Sequence, residues 1–230
     1  MYFYDPTYLV FMVPALILMT LTSWYVNAAY RKWSQVPARS RMTGIEAAQR
    51  LIARGGMPGV QVQGTAGNLT DHYDPRNKTL FLSQGVANNA SVASVAIAAH
   101  ELGHAVQDAE GYLPLRLRAA LVPMVNIGSS LGWILIVIGL LLRWTDLAWL
   151  GVLVFSGGAV FALATLPVEL NASIRARQLL SESGIIQTEE ERRGVNNVLN
   201  AAALTYVAGL VTAVLQLLYF VSLVGGRRRG

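Results

Sequence analysis

The chain has 230 residues, of which 53% are hydrophobic and only 13% charged; it carries a formal net charge of +5 and no cysteine. An ordinary soluble domain is about 25% charged, so this composition points to membrane segments. The missing cysteine excludes disulfides and thiolate metal sites, leaving His, Asp, Glu and water for any ion. The basic residues stand beside apolar segments rather than among exposed aromatics, which is the pattern of membrane-flanking charge and not of a nucleic-acid surface.

A helix crossing the ~30 Å hydrocarbon layer needs roughly 20 apolar residues, and four segments qualify. The first runs from about Tyr8 to Ala29 and reads as a retained anchor, because it is too long for a cleaved signal peptide and lacks a basic stretch before it. A polar region, Arg31 to Arg118, follows. In it, Thr43-Gly44-Ile45-Glu46 reads as a capping box opening a helix from Ile45 to Arg54, closed by Gly55-Gly56. Val60 to Gln63 alternates like a strand, and Asn68 to Tyr73 and Thr79 to Leu82 read as two more, joined by the turn Asp74-Pro75-Arg76-Asn77-Lys78. A helix then begins near Ser91 and ends near Gly111.

The second and third spans, about Ala119 to Leu142 and Leu147 to Leu166, are separated only by Arg143-Trp144-Thr145-Asp146, which makes them a hairpin. Gly128, Gly132 and Gly139 form a small-residue stripe on the second span, and Ser156, Gly157 and Gly158 offer a place to receive it. Such faces also allow copies of the chain to associate. A second polar region, 167–200, holds a helix from about Val168 to Leu180 and a solvated turn at Glu189, Glu190 and Glu191. The fourth span runs from about Ala201 to Val224, with Arg227, Arg228 and Arg229 after it. The fold class is mainly α: polytopic membrane helices with a small α+β region carrying a short β-sheet, a single domain over 1–230 whose polar parts are 31–118 and 167–200.

The chemistry lies in His100-Glu101-Leu102-Gly103-His104. On a helix, residues four apart share a face, so both imidazoles can offer nitrogen to one ion, and Glu101 can reach a water there without ligating. This H-E-x-x-H pattern is that of a zinc hydrolase. A hydrolytic zinc usually has three protein ligands, and His72 and Glu169 are the two candidates for the third. Two crossings separate the motif from Glu169, so all three groups can meet on one membrane face. His72 lies on that face as well, and topology permits both.

Several stretches together resemble the YugP-type membrane-bound neutral zinc metallopeptidases. They are Asp71-His72-Tyr73-Asp74-Pro75 with Leu80-Phe81-Leu82-Ser83, Ala98 to Ala105 around the motif, Pro167 to Ser173 followed by Arg175-Ala176, and Leu199 to Tyr206. More distantly the chain is similar to gluzincins of the HtpX type. The resemblance implies a Zn²⁺ endopeptidase acting on peptides or unfolded proteins at the bilayer, with Glu169 as third ligand beside His100 and His104, and Glu101 as general base. HtpX-type proteins carry an acidic residue four positions after that glutamate, where this chain has Ser173. His72, Tyr73, Arg175 and Tyr206 are chemically able to contact substrate or a developing oxyanion, and Arg175 is also able to orient Glu169. An open edge on the Thr79–Leu82 or Leu69–Tyr73 strand would bind an extended peptide by strand addition.

Two rival readings remain. One is a membrane scaffold with a structural metal; the other is intramembrane proteolysis, against which the many charges around the motif argue. Arg31, Lys32, Arg39, Arg41, Arg116, Arg118, Arg175 and Arg177 place the polar regions in the cytoplasm of a bacterial cell by the positive-inside rule. With four spans the terminal arginines then fall outside, against the same rule.

Overall fold

A computed structural model describes residues 6–226; the Arg227–Arg229 cluster lies outside them. The chain is mainly α-helical with one three-stranded sheet. Among the described residues, four helical stretches are long and apolar enough to cross a membrane: Pro6–Ser34, Leu113–Leu141, Thr145–Ser183 and Glu189–Gly226. Each extends beyond the span expected from hydropathy. A helix that has left the hydrocarbon keeps its backbone bonds while its side chains change from apolar to polar, so composition marks the span and not the helix end.

Helix α1 is Pro6–Ser34 and α2 is Gly44–Arg54. The capping box at the start of α2 is present: the Glu46 amide donates to Thr43 Oγ1, and the Thr43 amide donates to Glu46 Oε2. Strands β1 (Gln61–Thr65), β2 (His72–Asp74) and β3 (Thr79–Ser83) form a sheet in the order β1-β3-β2, with β1 parallel and β2 antiparallel to β3. Strand β3 is therefore central. Its residues are buried except Phe81, which is half-buried, and with both edges paired it cannot accept a peptide strand. Of these two strands, β2 has, among the described residues, a side with no sheet partner, and it is shorter than the sequence pattern implied: Leu69 has a φ of 53°, which breaks an extended run.

A short helix α3, Gln84–Ala87, leads to α4, Val92–Ala109, capped by Ser91 through the Ser94 amide. Helix α4 carries the H-E-x-x-H motif and is apolar on almost every side because it is packed on almost every side. Val92, Ala93, Val95, Ala96, Ala98, Ala99 and Leu102 are all fully buried, against α2, α3 and the sheet.

Helix α5 is Leu113–Leu141. The third span is divided into α6, Thr145–Phe155, and α7, Gly157–Ser183. Helix α7 runs unbroken through Pro167, so the separate helix expected from Val168 is the continuation of the span. Helix α8, Glu189–Gly226, likewise begins well before its apolar part. Glu191 is not solvated as expected: it is buried, caps α8 with Thr188, and accepts the Arg39 amide at 2.8 Å.

The described chain separates into two compact units. The first comprises 6–22, 116–167 and 205–226. Its core is Ile136, Ala148, Val152, Phe220 and Val224. The small-residue stripe works inside this unit. A methyl group on Gly132 would lie 2.9 Å from the Gly151 carbonyl oxygen and 2.7 Å from the Phe155 nitrogen, and one on Gly139 2.4 Å from the Ala148 nitrogen. The close approach is thus to Ala148, Gly151 and Phe155. Of the expected receivers, Gly157 meets nothing within 4 Å, and Gly158 only Ser129 Oγ at 3.8 Å. The second unit, 23–115 and 168–204, holds the sheet, α2, α3, α4 and the polar parts of the long helices.

Candidate metal centre

In the second unit, α4 and α7 bring His100, His104 and Glu169 together. One ligand atom from each lies within 4.8 Å of the others, and all three residues are buried. Glu169 Oε2 is 3.2 Å from His100 Nε2 and 3.4 Å from His104 Nε2. Two ligands each about 2.0–2.1 Å from a tetrahedral ion stand about 3.3–3.4 Å apart, so these separations fit a group that could hold zinc. Two imidazole nitrogens and a carboxylate oxygen also match zinc chemically. At 2% exposure, the Glu169 carboxylate needs a positive partner to be stable there.

Gly103 permits this convergence. A Cβ built on it would lie 2.4 Å from the Ala172 carbonyl oxygen and about as close as 3.0 Å to the carbonyl carbon. The obstacle is backbone on α7, which cannot rotate aside. Gly103→Ala is therefore expected to force α4 from α7, lower stability by about 1–3 kcal/mol and reduce retained zinc; thermal unfolding in detergent and metal analysis of the purified protein check this. The motif's spacing is silent on this glycine, since its third and fourth positions carry no chemistry.

Both imidazoles are held from behind. His100 Nδ1 is 3.2 Å from Ser173 Oγ, so the hydroxyl supports the ring from the position where HtpX-type proteins have a carboxylate. His104 Nδ1 is 3.0 Å from Gln107 Oε1. Gln107 is fully buried and donates through Nε2 to the Val168 carbonyl at 2.8 Å and to Asn171 Oδ1 at 2.9 Å. Sequence reading passed over Gln107 and Asn171. The available signal was spacing, because Gln107 follows His104 by three residues and shares its helix face.

Glu101 follows His100 on α4 and is half-buried. The dense protein around it pushes its carboxyl above the ordinary glutamate range, while the neighbouring His100 and His104 pull the other way. Asp71, just before β2, accepts the Ser83 amide at 2.8 Å and its hydroxyl at 3.1 Å, tying this loop to the end of β3. Burial raises its pKa too.

The remaining candidates are placed elsewhere. His72 is exposed, stacks on Phe81 at 4.8 Å between ring centres and sits 2.9 Å from the Thr70 carbonyl through Nδ1; among the described residues it is not in the ligand group. Tyr73 donates to Asp108 Oδ2 at 3.0 Å, fastening β2 to α4. Burial and this bond push its phenol well above its ordinary range. Arg175 does not reach Glu169. Its Nε donates to Asn171 Oδ1 at 2.7 Å and its terminal nitrogen to Glu110 Oε2 at 2.6 Å, just past the end of α4. Tyr206 is half-buried on α8 and belongs to the first unit.

Comparison with known proteins points to a zinc peptidase family. The sequence model of the family described as "Putative neutral zinc metallopeptidase" matches residues 8–225. A protein of Bacillus subtilis (strain 168) described as "Putative membrane protease YugP" is 42% identical over 209 residues, which cover 91% of this chain and 92% of that protein. No solved structure matches. With four helices fit to cross a bilayer, a buried His-His-Glu group fit for zinc, and a family match over nearly its whole length, this chain belongs to the neutral zinc metallopeptidase family of membrane proteins.

Proposed function

We propose that the protein is a zinc-dependent endopeptidase of the gluzincin type, in which His100, His104 and Glu169 hold the ion and Glu101 is the general base. The single observation that carries this reading is the meeting of one carboxylate with both motif imidazoles at 3.2 and 3.4 Å, beside a fourth group, Glu101, that is not needed for ligation. When bound, zinc supplies Lewis acidity, which acidifies a water molecule and polarises a carbonyl. Glu101 takes a proton from the attacking water and delivers it to the departing amine.

Peptide enters in extended form along the free side of β2, with main-chain hydrogen bonds fixing it and little demand on side chains. His72, exposed on that strand, is positioned to touch it. Tyr73 and Arg175 already commit hydrogen atoms to Asp108, Asn171 and Glu110, so they serve the frame of the site. Substrates are flexible or unfolded proteins, and the basic residues flanking the spans support a cytoplasmic side for residues 31–118 and 167–200.

The test is metal analysis and casein-type proteolysis of the detergent-purified protein. The expected result is about one zinc per chain, activity lost on chelation and restored by zinc. A protein that holds zinc but cleaves no unfolded substrate would favour the scaffold reading.

A further inference from the structure

We infer that Gln107 is a positioning residue that fixes the tautomer of His104, holding the proton on Nδ1 and leaving Nε2 free to ligate. The inference rests on the metal-centre reading for its use, though not for its logic. That logic starts at Arg175, whose guanidinium can only donate. Its Nε lies 2.7 Å from one side-chain atom of Asn171, so that atom is the amide oxygen. The Asn171 oxygen and the Val168 carbonyl are both acceptors, and both lie against the same end of the Gln107 side chain, at 2.9 and 2.8 Å. Only the NH₂ group can serve two acceptors. The amide oxygen of Gln107 therefore faces His104 Nδ1, 3.0 Å away, and the hydrogen in that contact belongs to the imidazole. With Nδ1 carrying a hydrogen, Nε2, which faces Glu169 at 3.4 Å, is the nitrogen whose lone pair is available to an ion once any proton on it has left.

No other side chain at position 107 does this. Glutamate would set its oxygens against two acceptors, and methionine would bond neither side. His100 is held less strictly, because the Ser173 hydroxyl at 3.2 Å can donate or accept. The two halves of the motif thus differ. One imidazole is locked by an amide whose direction is dictated two residues away, and the other rests on a hydroxyl that can turn.

The test uses full-length protein in detergent micelles with ¹⁵N-labelled histidine. The chain has three histidines, and His72→Ala and His100→Ala variants assign the His104 signals. His104 is expected to carry a hydrogen on Nδ1 both with and without zinc, Nε2 being able to carry a second one beside Glu169 only in the metal-free protein, and a His104 ring without Nδ1–H in either state overturns the inference. Gln107→Met is expected to lose this preference and to weaken zinc binding, read by competition with a chelating dye, by about 10–100-fold. A folded Gln107→Met protein with wild-type tautomer and zinc affinity also overturns it. If Gln107→Met does not fold, the wild-type spectrum alone decides. If wild type binds no zinc at all, the metal-centre reading fails, while the tautomer measurement still stands or falls separately.

Discussion

Glu101→Gln is expected to reduce cleavage of an unfolded protein by about 10²–10⁴-fold while leaving zinc content at the wild-type level. The substitution keeps the size of the side chain and removes only its ability to accept a proton. Glu101 is outside the ligand group, which consists of His100, His104 and Glu169, so the ion should stay. This variant separates enzyme from scaffold: a structural site has no use for a base beside its ligands, and it normally fills all four positions with protein. Equal cleavage by wild type and Glu101→Gln would remove the catalytic reading, and loss of zinc along with activity would recast Glu101 as a ligand.

The complementary result is expected of Glu169→Ala. Here zinc itself should be lost, by more than the 10–100-fold that follows when a ligand's outer partner is removed, and activity with it. Two imidazoles would remain, with an empty space where their buried counter-charge had been. His72→Ala serves as the comparison, because His72 stacks on Phe81 outside the ligand group; it should keep its zinc. Retention of zinc by Glu169→Ala, or its loss from His72→Ala, would exchange the two candidates for third ligand.

The parts of this molecule that sequence revealed are those set by local chemistry. Thr43 and Glu46 announce the start of α2 because a capping box is closed within four residues. The four spans follow from a length and a composition. That His100 and His104 share one face follows from one helical turn. What escaped was long-range. Gly103 is unremarkable until Ala172, far along the chain, comes within 2.4 Å of the methyl it lacks. Glu191 looks like one of three solvated acids until the Arg39 amide reaches it. The parallel pairing of β1 with β3, which closes β3 to substrate, has no signature in either strand alone. For Arg175 the sequence left open a membrane-flanking charge, a substrate contact and a partner of Glu169; four residues along one helix turn its Nε to Asn171.

The ligand group is divided along the chain: His100 and His104 precede the helical hairpin α5–α6, and Glu169 follows it. This order imposes a delay on assembly of the group. A nascent chain released or stalled before residue 169 holds His100, Glu101 and His104 but not Glu169. The three side chains can meet only after the ribosome has delivered both apolar segments in between.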